Sequence, residues 1–363
     1  MENKVQVSFV SLEPYATKAY PVYKEIENRK DYISQGDWDD YPLFQYDCYL
    51  KCPILNTIVN GTADFITGND VICQVPGFEK SVNRKGETAN DIIGRCAVDY
   101  MLYGAFYLQI IRDNRGKVAE IYWLDYRYVR TDKYNECFWY SEDFGKKYGR
   151  TSKALVYPRF MEDSLEPTSI MMVKSKVSRG VYGTSSWGSC LSSVITEIEI
   201  DKYHLNEITN NFTASAVINF NNGTPTDEQR KEIEKNVIEK FTGSENAGRF
   251  VLSFNNSKDN MTTIQRLGED GFDKRYDALS KHVNQQIFTA FGANPNLFGI
   301  PTENNGFSNE EYEESFRLYN RTRVRPIQQV ITDAFDKIFG VTNSLSITPF
   351  SMDENKTQEE TVE

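Results

Sequence analysis

FGANPNLFGIPTENNGFSNEEYEESFRLYNRTRVRPIQQVITDAFDKIF, residues 291–339, is the stretch on which the reading of this chain turns. A loop over 292–308 separates two helical patterns. Pro295 and Pro301 stiffen it, while Gly292, Gly299 and Gly306 permit sharp turns. Asn294, Asn296, Asn304 and Asn305 add turn-forming side chains. Its length is at the upper edge of ordinary connections, where working loops become common. It reads as a hinge, an exposed working edge or a plain surface connection. Ser308 and Glu311 then form a candidate capping box for a long helix. Tyr312, Phe316, Tyr319, Ile327, Val330 or Ile331, Phe335 and Ile338 trace its apolar face, and Pro326 is expected to kink it.

Immediately upstream, Phe272, Tyr276, Leu279, Val283, Ile287 and Phe291 recur at three- and four-residue spacings, which predicts a helix. Another helix is expected over 189–212, its apolar side formed by Leu191, Val194 or Ile195, Ile198, Leu205, Ile208 and Phe212. Glu197, Asp201 and Glu207 fall off that side. Between the two helices lies a compact insert at about 216–260. It reads as strand AVINF, a turn, a helix opening at Thr226 and closing at Phe241, and strand RFVLSF. Helix, insert, helix implies a two-helix stalk with an α/β module between its arms.

The N-terminal half is an α+β unit with antiparallel strands. A helix over 46–68 is expected to bend near Pro53, with Leu55, Ile58 or Val59, Ala63 and Ile66 on its apolar stripe. A second helix opens the 88–130 stretch, with Ile92, Cys96 and Leu102 on one side and Asp99 near its edge. The pattern then switches to period two in AFYLQII and KVAEIYWL, joined by the turn RDNRG. ECFWYS, ALVYPRF and SIMMVK continue the strands. Residues 1–45, including the acidic turn QGDWDDYP, read as an arm or partner-binding segment more than as core. SLSITPF near the other terminus reads as one strand, and the charged tail beyond it as mobile.

Composition bounds what such a chain does. Its 363 residues suffice for two or more lobes, and 13% aromatic content suits ample cores or large protein contacts. A net charge of -11 argues against a sequence-reading DNA-binding module, which needs a basic surface. No apolar run of about 18 residues exists, so no membrane span is expected. MENKVQVSFV lacks the pattern of a secretory signal. The six cysteines, of which only Cys48 and Cys52 lie close together, read as reduced and mostly buried, not as a zinc site.

Candidate chemistry is sparse. His204 and His282 each fall inside a helical pattern, and SRGVYGTSSWGSCLSSV lacks the ending of a phosphate-binding loop. Catalytic, cofactor and metal sites are therefore all expected to be absent. Glu197 with Asp201 has helical spacing that suits magnesium, but reads better as a solvated or lumen-facing surface. The basic cluster Arg317, Arg321, Arg323 and Arg325, in which Arg317, Arg321 and Arg325 are each one turn from the next, reads as partners of acidic side chains in other helices or subunits, with phosphate contact as the alternative. Lys274, Arg275 and Lys281 are similar: positives near passing DNA, or ordinary solvated charges.

IFTAFGANPNLFG, GFSNEEYEESF and RTRVRPIQQVITDAF, in that order, resemble the pattern of phage portal proteins of the HK97-like tailed-phage type. Phe298 stands where that pattern has leucine. CAVDYMLYGAFYLQIIRDNRGKVAEIYWLDYRYV resembles the wing segment of such proteins, YGTSSWGSCLSSV the junction opening the first stem helix, and NNFTASAVINF the exit into the clip. The resemblance spans about 46–350 and implies an α+β portal fold: an arm and wing at 1–188, a stem helix at 189–214 and a clip at 215–265. A second stem helix at 266–291, a tunnel loop at 292–308 and a long kinked wing helix at 309–340 follow. A short strand and tail at 341–363 would leave the crown reduced or absent.

The tunnel-loop residues so implied are Asn294, Pro295, Asn296, Leu297, Phe298, Asn304 and Asn305. The resemblance further implies a ring of roughly a dozen copies at one capsid vertex, a heterologous closed assembly. Its partners would be the major capsid protein and scaffold, an ATP-driven terminase motor, head-completion, adaptor or tail proteins, and translocating double-stranded DNA held without sequence specificity. No membrane partner is implied. Assembly would take place in the host cytoplasm. The alternatives are a connector of a defective prophage or gene-transfer-like particle and, more remotely, a metal-dependent DNA-processing enzyme.

Overall fold

The computed structural model describes residues 20–27, 31–146, 154–209, 216–220, 226, 228, 250–254, 272–300 and 309–350. Two compact units divide the chain: Met1–Tyr20 with Thr196–His282, and Pro21–Ile195 with Val283–Glu363. Mixed helix and strand make up both, in line with the α+β expectation.

In the larger unit, helix α1 (Tyr41–Lys51) and helix α2 (Pro53–Thr67) replace the single bent helix expected over 46–68. Cys52 separates them with extended φ/ψ of -103° and 106°, because the ring of Pro53 excludes its predecessor from helical conformation. Both Ile58 and Val59 are buried, along with Leu55, Ala63 and Ile66. Helix α3 (Ala89–Tyr103) opens on a capping box: Thr88 N–H donates to Asp91 Oδ2 at 2.8 Å, and Thr88 Oγ1 accepts from Asp91 N–H at 3.2 Å.

Strands β1 (Glu25–Glu27) and β2 (Ile33–Gln35) pair antiparallel ahead of α1. Strands β4 (Ala105–Arg112) and β5 (Val118–Leu124) form the expected hairpin, its turn held by Asp113 Oδ1 accepting from the N–H groups of Arg115 and Lys117. Strand β9 (Thr168–Lys174) flanks β4 on its other side, giving the antiparallel order β5-β4-β9. A second antiparallel sheet has the order β6 (Val129–Thr131), β7 (Cys137–Tyr140), β8 (Leu155–Pro158). Strand β12 (Leu345–Thr348), the one read from SLSITPF, pairs antiparallel with β3 (Asp70–Cys73), Leu345 opposite Cys73.

Two polar features depart from expectation. The segment read as an arm is partly core: Ile33, Ser34, Gln35 and Asp39 are buried, and Asp39 Oδ1 accepts from Arg130 Nε at 2.6 Å. Arg130 is 0% exposed, and its other donors reach the carbonyls of Asp39, Arg127 and Val129. An acidic run looks solvated in sequence only because its buried cation lies far along the chain. Asp99 is also interior, not at an edge. Trp123 Nε1 donates to it at 2.8 Å, and burial, with Asp125 nearby, pushes its carboxyl well above the usual range. Of the six cysteines, all free, five are buried.

Tyr182, Gly183 and Gly104 explain the YG junction. Tyr182 Oη donates to the Ile33 carbonyl at 2.5 Å and accepts from Thr131 N–H at 3.0 Å. Gly104 ends α3 in the left-handed region, φ 73°, with its Cα so close to Thr184 that an added Cβ would meet the Thr184 carbonyl oxygen at 2.2 Å. The junction is a backbone-on-backbone crossing.

In the smaller unit, strands β10 (Ala216–Phe220) and β11 (Phe250–Phe254) pair in parallel. Parallel neighbours require a crossover connection, which fits the expected strand–helix–strand insert. The helix expected from Thr226 to Phe241 falls outside the described residues apart from Thr226, which is not helical, and Glu228, which is. Helix α4 (Leu191–Thr209) and helix α5 (Phe272–Phe291) each cross the division between the units. On α4, Leu205 is exposed and Glu197 buried, the reverse of expectation. Glu197 lies three residues after Val194, so helical spacing carries both onto one face. Of the described residues, no helix is long and apolar enough to cross a membrane.

Candidate functional site

The site is the root of the loop at 292–308. Helix α5 stops there in a Schellman motif: Ala293 N–H reaches the Phe288 carbonyl and Gly292 N–H that of Thr289, both at 3.0 Å. Gly292 supplies the left-handed residue, φ 61°. A 3-10 turn, Pro295–Phe298, follows, with Asn294 Oδ1 accepting from Asn296 N–H and Asn294 Nδ2 donating to Ser315 Oγ at 3.1 Å. Leu297 is 6% exposed.

Phe298 packs tilted against Phe65 and Phe288 and edge-on to Tyr319, with ring centroids 5.9–6.3 Å away. Its bulk is accommodated by Gly61 in the middle of α2, where an added Cβ would meet Phe298 Cδ1 at 2.8 Å. Phe298 is thus matched by a glycine opposite. Gly61→Ala is expected to destabilise by about 1–2 kcal/mol, because overpacking outweighs the helix propensity gained. Adding Phe298→Leu should turn the alanine stabilising, a double-mutant cycle readable by urea unfolding. Additive effects would mean that the two side chains do not share this space.

Helix α6 (Asn309–Tyr319), a π turn (Asn320–Val324) and helix α7 (Arg325–Phe339) run on without a break. The π turn, ending two residues before Pro326, lies near where the sequence predicts a kink. Tyr319 Oη is 2.7 Å from Thr62 Oγ1, and Gln328 Nε2 donates to the Ile66 carbonyl at 2.8 Å, fastening the long element to α2. Of the alternatives at Val330 or Ile331, Ile331 is the core residue, 0% exposed. The sequence carried no separate signal of the π turn, since Tyr319 and Ile327, eight apart, also fit one face of an ordinary α-helix.

The other candidate residues scatter. Glu197 is held between helices of the smaller unit; burial, then Asp201, raises its carboxyl, while a hydrogen bond from Ser280 opposes them. Asp201 and Lys281 are exposed. Lys274 and Arg275 lie in α5, outside the described side chains, and Asn304 and Asn305 fall outside the described residues. Arg317 sits 3.6 Å from Glu314 on its own helix with both side chains exposed, a pair worth little. Arg321 and Arg325 are exposed. Among the described residues no group of three or more His, Cys, Asp or Glu could hold a metal ion.

This fold is also found in chains of the gene transfer agent particle. The chain superposes with TM-score 0.58 on a chain of the virion of the native gene transfer agent particle, at 17% identity over 86% of this chain and 84% of that one. Against the neck of the empty particle, computed with C6 symmetry, the values are 0.55, 17%, 86% and 85%. Against the neck of the native particle, computed with C12 symmetry, they are 0.51, 17%, 87% and 82%. The family model described as Phage portal protein matches residues 83–358, and the chain belongs to that family. No curated protein matches the sequence.

Proposed function

We propose that this chain is a structural subunit, not an enzyme, and that copies of it close a ring at one capsid vertex through which DNA is packaged and later ejected. The observation that carries this is the loop root: Asn294, Leu297 and Phe298 fasten the start of 292–308 to α2 and α6, giving a loop with a rigid base. In this reading the arm and wing comprise 1–188 with 309–340, the stem 189–214 with 266–291, and the clip 215–265. A net charge of -11 suits a conduit, since phosphate contacts would hold DNA against movement. Terminase would dock first, and head-completion, adaptor or tail proteins afterwards, with capsid protein and scaffold around the ring. Assembly would occur in the host cytoplasm.

Electron microscopy of the purified protein tests the ring: annular particles with a central hole are expected, and a stable monomer at high concentration overturns it. The loop has its own test. Removing 301–306 should leave ring assembly intact and lower packaged or retained DNA at least several-fold, whereas loss of folding would make the loop a structural connection. Likeness to the gene transfer agent particle favours a second reading, a connector of a gene-transfer-like particle. DNA extracted from particles separates the two: one uniform viral genome against a mixture of host fragments.

A further inference from the structure

We propose that Arg323 is the positioning residue of the loop root, a cation presented by the π turn to clamp the end of α5 where the loop departs. In an unbroken α-helix the residue one turn after buried Tyr319 is Arg323, which would carry its charge toward the core. The π turn adds one residue, closed by Arg325 N–H donating to the Asn320 carbonyl. Val324 then takes the core position, 1% exposed, and Arg323 stays outside it at the exposed margin.

From that margin the guanidinium lies over Gly292. A Cβ placed on Gly292 would meet Arg323 Nη2 at 2.7 Å, Nε at 3.1 Å and Cζ at 3.3 Å. Gly292 thus meets two demands at once: the left-handed φ that ends α5, and clearance for a cation. The carbonyls of the last helical turn make this the negative end of α5, where a positive group is favoured. The cluster of arginines expected to seek partners in other helices therefore includes one already engaged with the loop base within this chain. The π turn holds two registers together, Val324 in the core and Arg323 on the loop. The functional meaning of the clamp rests on reading 292–308 as the channel loop; the clamp itself does not.

Hydrogen exchange on the full chain tests it. In Arg323→Ala, amides of 292–300 should exchange about five-fold faster, the equivalent of losing one helix-end cation, while those of α3 are unchanged. Arg323→Lys should restore most of the protection, since a point charge keeps the attraction without the flat contact. Unchanged exchange at 292–300, or an equal rise in α3, overturns the proposal. DNA retention by particles carrying Arg323→Ala separates it from the channel reading. A loosened loop with lowered retention supports both, and a loosened loop with normal retention supports the clamp while removing the loop's channel role.

Discussion

Asp39→Ala is expected to destabilise the larger unit by about 3–5 kcal/mol, the penalty for leaving a buried charge without its counter-ion. Arg130 is 0% exposed and Asp39 2%, so water cannot replace the lost carboxylate. The loss extends beyond one ion pair. Asp39 Oδ1 also accepts from Gln35 N–H at 2.9 Å, and Asp39 occupies the left-handed region at φ 60°, which aspartate tolerates better than alanine. Asp39→Asn keeps the turn and an acceptor and should cost less. Arg130→Met in the Asp39→Ala background should recover part of the loss by removing the stranded cation. Urea unfolding at constant m-value reads all three. A loss below about 1 kcal/mol for Asp39→Ala would mean that solvent reaches Arg130 and that the 31–40 segment is not core.

Gly104→Ala should be worse, costing more than about 4 kcal/mol or preventing folding. The added methyl would stand 2.2 Å from the Thr184 carbonyl oxygen and 2.5 Å from its carbon, both backbone atoms with no rotamer to yield. Gly183→Ala meets the same crossing from the other side, at 2.6 Å from the Gly104 carbonyl carbon. Gly86→Ala is the control. It has a similar φ, 79°, and no atom within 4 Å, so it should lose only the left-handed preference, about 1–2 kcal/mol. Thermal unfolding of Gly104→Ala beside Gly86→Ala separates clash from conformation. Equal losses would show that the Gly104 contact relaxes and that the crossing is not obligatory.

Legibility of the fold followed the range of the interactions involved. Helices α3, α4 and α5 and the β4–β5 hairpin could be read because their periodicity and turn residues act over a few positions. The boundary at Cys52 was legible in kind but not in place: Pro53 announced a break, while the start of α1 at Tyr41 depended on burial of Tyr41 and Gln45. Strands β3 and β6 went unread because four- and three-residue strands carry almost no pattern of their own. The candidate site was half legible. Its loop stood out by prolines and glycines, yet Leu297 and Phe298 belong to the packed base of that loop.

By itself the sequence determined the longer helices and the β4–β5 hairpin, the order of the family motifs, and an acidic net charge of -11. Those properties reside in local spacing and summed charge. Only the tertiary structure decided that Asp39 neutralises Arg130, that Gly61 makes room for Phe298, and that Arg323 lies on Gly292. Each joins residues far apart in the chain, and the energy of a buried pair or a close contact depends on distance in space, which periodicity along the chain does not encode.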